Sequence, residues 1–188
     1  MSTPVIMEYA KIKKEFPEFL TAYSETMTKA KRDVKDAWGL SDGGLFPGAN
    51  QYGVTTIRPR FVQLGTTGGA SAESWNRNLA TMGWQDFVNN NVIEDVYLGV
   101  LGFIFPNVSQ RCGAIRIEAG KQKLPVINLQ GEMDIMSEPA VIFETGLIIP
   151  EEEAFKLRVH ALTKGYNVIK PLGFALAKSK VLISETPT

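Results

Sequence analysis

Cys112–Ala119 (CGAIRIEA) alternates without a break, with Ile115 and Ile117 on one face and Arg116 and Glu118 on the other. A period of two residues marks a strand with one buried face and one wet face. Residues 154–162 (AFKLRVHAL) repeat the pattern, with Phe155, Leu157, Val159 and Ala161 opposing Lys156, Arg158, His160 and Leu162. Short β-branched and aromatic runs punctuated by Gly, Pro and Asn fill most of the chain from Gly39 onward. The spacing predicts about eight to ten strands with no helical pattern between them, hence an antiparallel sandwich or barrel and not βαβ units.

Working outward from these two strands, residues 52–64 (YGVTTIRPRFVQL) are expected to be extended, with Pro59 at a sheet edge or bulge. Residues 92–105 are strongly apolar and carry Gly99 and Gly102, which predicts a long buried strand with a bulge, or two short ones. Residues 140–149, 172–177 and 180–184 read as further strands. The two-sheet jelly roll, with eight principal strands, fits this count best. An immunoglobulin-like sandwich needs fewer strands, and the Cys–Trp–Cys pattern of antibody domains is absent.

Before this body lies a stripe of different period. Ile12, Phe16, Phe19, Tyr23, Met27, Ala30, Val34 and Ala37 recur at steps of three or four, with Lys, Glu and Asp between them. That is an amphipathic helix. Thr3-Pro4 reads as its entrance, Pro17 as a break or kink, and Gly39 as its end. The chain thus divides into a helical arm over 1–38, a Gly/Pro-rich connector over 39–51, and a jelly-roll-like β-sandwich over 52–188. The stripe spans about three heptads, is interrupted by Pro17, and carries aromatic and Ala positions that suit a coiled coil poorly. It is expected to dock on a β-body, its own or a neighbour's. The docking or oligomer interface is assigned to Ile12, Phe16, Phe19, Tyr23, Met27, Val34 and Trp38.

The chemistry-bearing residues are sparse. Lys plus Arg (20) equals Asp plus Glu (20), so nothing favours nonspecific nucleic-acid binding by the whole chain. A single cysteine and a single histidine exclude a disulfide within the chain and most transition-metal sites, and no cofactor is expected. His160 sits on the outward face of its strand, and Cys112 reads as a small buried apolar residue. Residues 65–71 (GTTGGAS) lack the lysine of a phosphate-binding loop and read as a surface turn. Glu132, Asp134 and Glu138 lack calcium-loop spacing, and Glu151-Glu152-Glu153 reads as a charged turn. Asn107-Val108-Ser109 is a sequon without a secretory signal to give it meaning. Trp75, Trp84 and Phe87 could line a sugar-binding surface, although packing is the commoner fate of such aromatics. The longest apolar run, VYLGVLGFIFP, is too short to cross a bilayer as a helix.

An N-terminal helical arm, a Gly/Pro-rich connector and a jelly-roll-like body without catalytic residues resemble the single jelly-roll capsid proteins of icosahedral, membrane-containing viruses of archaea and bacteria. The apolar run VYLGVLGFIFP and the tight unit CGAIRIEAGKQKLPVINL carry this resemblance, which covers residues 52–184 plus the arm. It implies a self-assembling virion subunit and not an enzyme. Its partners would be copies of itself and other structural proteins, with the arm meeting an inner membrane or layer. The alternative is a trimeric β-sandwich binding head for a carbohydrate or receptor, joined through the helix.

Overall fold

The first described element is a strand. The computed structural model describes residues 4–39, 52–62, 73–106, 112–131 and 136–183. In place of a helix entered at Pro4, Val5–Glu8 forms β1, followed by a 3-10 turn at Tyr9–Lys11 and a single helical turn, α1 (Ile12–Glu15). The cause is tertiary: β1 finds an antiparallel partner through Val5↔Ile142 and Ile6↔Val141. Four residues have no strong helical preference of their own to set against that pairing. The Glu8 side chain accepts backbone hydrogen bonds from Ser137 (3.3 Å) and Glu138 (3.1 Å), fixing the end of the strand.

Pro17 separates α1 from the main helix, α2 (Glu18–Ala37), which closes at Trp38 before Gly39 turns left-handed (φ 63°). The strands of the body are β2 (Tyr52–Thr55), β3 (Trp75–Leu79), β4 (Gly83–Asn91), β5 (Val96–Ile104), β6 (Cys112–Ala119), β7 (Gln122–Lys123), β8 (Ile127–Asn128), β9 (Pro139–Ile149), β10 (Ala154–Ala161) and β11 (Gly165–Lys178). A short helix, α3 (Ser179–Ile183), comes directly after β11. Two expectations fail here. Pro59 starts a buried 3-10 turn, Pro59–Phe61, so 52–64 is not one extended segment. Residues 180–183 are helical, and the strand ahead of them is a single run of 14 residues.

The strands make two antiparallel sheets. One has the order β1-β9-β5-β11-β2, with β3 also paired to β11; the other is β4-β10-β6-β7, with β8 also paired to β6. Setting aside β1, β2 and the two-residue β7, the orders are 3-11-5-9 and 4-10-6-8. This is the double Greek-key wrapping of a jelly-roll β-sandwich. The fold is therefore mainly β with an amphipathic helix near the N-terminus.

Burial explains the sequence of β5. All nine of its residues are buried because the strand is covered on both faces. Val96, Leu98, Val100 and Phe103 point into the sandwich, while Tyr97 and Leu101 point outward beneath α2. The inward set skips from 100 to 103 at a register shift between Val100 and Gly102, which is the bulge that the glycines announced. Between the sheets, Trp75 packs against Phe155 (5.7 Å between ring centroids) and Phe103 (6.4 Å), and Phe103 packs edge-on to Phe143.

Candidate functional site

The amphipathic stripe docks on the chain's own first sheet. Ala22, Thr26, Ala30 and Val34, four apart on α2, are buried along one line. Small side chains let the helix backbone approach the sheet closely. A Cβ placed on Gly146 of β9 would sit 2.5 Å from the Thr26 hydroxyl, so the glycine is required by the helix above it. Ala22, Ala30 and Val34 form one buried cluster with Tyr97, Leu101, Phe174 and Leu176, with Tyr23, Met27 and Trp38 at the margin. Tyr23 meets Phe174 edge-on at 5.4 Å. Ile12 is buried with Ile104, Ala140 and Ile142, and Phe16 and Phe19 cover that cluster. All seven residues assigned to docking thus line an intramolecular interface.

The end of α2 is held by a charged brace that the sequence did not announce. The Trp38 indole N–H donates to Glu151 Oε1 (2.9 Å), and Glu151 Oε2 accepts from the backbone N–H of Asp95 (2.6 Å). Asp95 is 3% exposed, and its carboxylate pairs with both Lys178 and Lys180. Burial works against its ionised form, but the hydrogen bonds from the two lysines outweigh it and hold the pKa below the ordinary carboxylate value. The Lys178 ammonium lies 5.0 Å from the centre of the Trp38 ring, which also meets Tyr97 (5.5 Å) and Tyr52 (6.0 Å) edge-on. Four chain segments converge there: the end of α2, the β4–β5 turn, the β9–β10 turn and the junction of β11 with α3.

Among the described residues, no helix covers the outer face of the second sheet. Its cross-strand rungs read Trp84–His160–Ala114–Asn128, then Asp86–Arg158–Arg116. Asp86 pairs with Lys156 (3.2 Å) and Arg158 (2.9 Å), and Glu118 pairs with Arg116 (3.5 Å) and Lys123 (3.9 Å). His160 meets Trp84 edge-on at 5.4 Å. Among the described residues no acid orients its imidazole as a catalytic triad would require, and its cross-strand neighbours are Trp84 and Ala114.

Large apolar side chains are exposed at Tyr9, Leu20 on α2, Val54, Met82, Trp84, Val126 and Tyr166, and four of these lie on terminal strands or at one end of the sandwich. Val54 lies on β2, the terminal strand of the first sheet, and Trp84 on β4, the terminal strand of the second. Met82 and Tyr166 lie at the end of the sandwich where β3 meets the start of β11. Met82 is in the β3–β4 turn, and Tyr166 opposes Asn78 at the neighbouring end of β11.

The other sequence candidates disperse. Trp75 and Phe87 are core residues, leaving only Trp84 of that trio at the surface. Cys112 is buried, and desolvation pushes its thiol up to about 12, which makes it a poor nucleophile. Glu151 and Glu152 form a turn, as their position after Pro150 suggests. Among the described residues no group of three His, Cys, Asp or Glu is placed to hold a metal ion. Residues 65–72, Glu132, Asp134 and the sequon at 107–109 lie outside the described residues. A cleft of about 200 Å³ beside Tyr9, Ile57 and Leu172 carries Glu73, Glu138 and Lys170 on its walls, with no histidine or thiol. No helix among the described residues is long and apolar enough to cross a membrane.

No protein-family model matches the chain, and no curated protein matches it in sequence. What its geometry defines is a jelly-roll β-sandwich with one outer face sealed by its own helix and the other charged and, among the described residues, without a helix over it.

Proposed function

We propose that the protein is a self-assembling structural subunit, most concretely a single jelly-roll capsid or virion protein, and not an enzyme. One observation carries the reading: Val54, Met82, Trp84 and Tyr166 are exposed on terminal strands and at one end of the sandwich, where lateral neighbours meet in a closed shell. Such positions gain from contact with copies of the same chain, and they leave the two large faces free to form inner and outer surfaces. The helix adds nothing to this reading, since its apolar stripe is satisfied within the chain.

Light scattering coupled to size-exclusion chromatography, across protein concentration, salt and pH, tests the proposal. Association into discrete particles or rings, weakened by Met82→Ser and Tyr166→Ser, is the expected result. A strict monomer under all conditions overturns it. A second reading rests on the exposed Trp84 ring beside His160: a binding head that stacks a sugar ring on the indole. Glycan binding by the monomer, lost in Trp84→Ala, would favour that reading instead.

A further inference from the structure

We propose that the brace around Asp95 is a latch, and that breaking it lets α2 leave the first sheet as a unit while the β-sandwich stays folded. The attachment of the helix differs in kind from the packing within the body. Its fully buried line consists of Ala22, Thr26, Ala30 and Val34, small side chains that bury little apolar surface each, while the larger Phe19, Tyr23, Met27 and Trp38 are only half-buried at its margin. The body is held instead by Trp75, Phe87, Phe103 and Phe155 between two sheets. Ahead of the helix, Phe16 leaves the helical region (φ −132°, ψ 72°) before Pro17, so α2 is separated from α1 by a non-helical joint. Segments with few large buried contacts and a discontinuous boundary are the ones that open ahead of the global transition.

At the other end, the Trp38 indole ties the helix to the body through Glu151. The second oxygen of the same carboxylate holds the backbone of Asp95, a non-glycine residue in the left-handed region (φ 63°). Lys178 N–H closes the turn by donating to the Asp95 carbonyl oxygen (3.0 Å). Glu151 thus joins the helix end to the turn, and the Asp95 carboxylate joins that turn to Lys178 and Lys180. The charged and titratable groups around the brace are Lys178 and Lys180, which face Asp95; Glu94 and Glu151, which act on Lys180; and Tyr97 on β5, which feels Glu151 and Asp33 of α2.

These contacts set the direction of the pH response. A carboxylate whose folded pKa is depressed contributes stability above its unfolded pKa and loses it as pH falls through the folded value. Protonating Asp95 removes its charge-assisted bonds to both lysines while the uncharged core is unaffected. Acid therefore weakens the brace on which Glu151 and Trp38 rest, and the latch predicts that α2 is released before the sandwich unfolds.

Hydrogen–deuterium exchange read by mass spectrometry tests the latch on the full chain. At neutral pH, Asp95→Asn and Glu151→Ala are expected to lower protection of α2 amides by about tenfold or more, with β10 amides unchanged. Lys180→Met, at a side chain 66% exposed and safe for folding, is expected to act in the same direction and more weakly. Acidification of the unaltered protein, after correction for intrinsic exchange rates, should lower α2 protection ahead of β10. Protection of α2 that stays constant in all four experiments, or that always falls in step with β10, overturns the proposal.

Discussion

The two outer faces of the sandwich share one backbone plan and have opposite chemistry. On the first sheet, outward positions of β5, β9 and β11 are Tyr97, Leu101, Ile104, Ile142, Phe174 and Leu176, all buried by the segment that precedes the body. On the second, outward positions of β4, β6 and β10 are Asp86, Arg116, Glu118, Lys156, Arg158 and His160, with Trp84 a large apolar exception. The apolar face gives α2 its docking surface, and a patch of that kind left uncovered would recruit some other surface. The charged face needs nothing on it. Removing a side chain should therefore be expensive on one face and cheap on the other.

The largest effect is expected at Phe174, which is 1% exposed, lies over Gly99 and meets Tyr23 edge-on. Phe174→Ala should lower unfolding free energy by about 3–5 kcal/mol in urea denaturation, through lost transfer energy and the cavity left between helix and sheet. A loss below about 1 kcal/mol would place this face with the exposed one and break the comparison. Next comes Gly146→Val, which drives a side chain against Thr26 and should cost about 1–3 kcal/mol by overpacking. Thr26→Ala should reduce that cost in a double-mutant cycle, because the two substitutions share one contact.

The division between these regions was readable to different depths. The alternation in β6 and β10 and the unbroken apolar run of β5 announced a sandwich, because a strand's faces are written in its own residues. The stripe of α2 was equally plain, but a stripe states only that something covers it. That the cover is the chain's own sheet is settled by Gly146, Gly99 and Phe174, scattered over three strands. β1 was hidden because four residues carry too little pattern to outweigh the helical look of residues 12–37; its pairing with β9 makes it a strand. The Asp95 brace was invisible for the same reason in stronger form. Asp95, Glu151, Lys178 and Trp38 come from four distant segments, and each alone reads as an ordinary polar turn or helix end.

On the charged face, Asp86→Ala removes the carboxylate shared by Lys156 and Arg158, all three side chains being about one-third exposed. The expected loss is about 0.2–1 kcal/mol at low ionic strength, shrinking toward zero in roughly 1 M salt as surface pairs are screened. A larger loss, unaffected by salt, would mean that this ladder is structural and not merely solvated.

The smallest effect on folding is expected at Trp84, which is 39% exposed and rests on His160 at the terminal strand of the second sheet. Trp84→Ala should change monomer stability by no more than about 1 kcal/mol, since half-exposed side chains bury little to begin with. Its value lies in what else it moves. If copies meet along β4, the same substitution should raise the concentration needed for association severalfold while the urea midpoint of the monomer stays within error. A change in both by the same free energy would assign the indole to the fold. A change in association alone would assign it to the surface between subunits, and would separate this apolar residue on the charged face from the ladder around it.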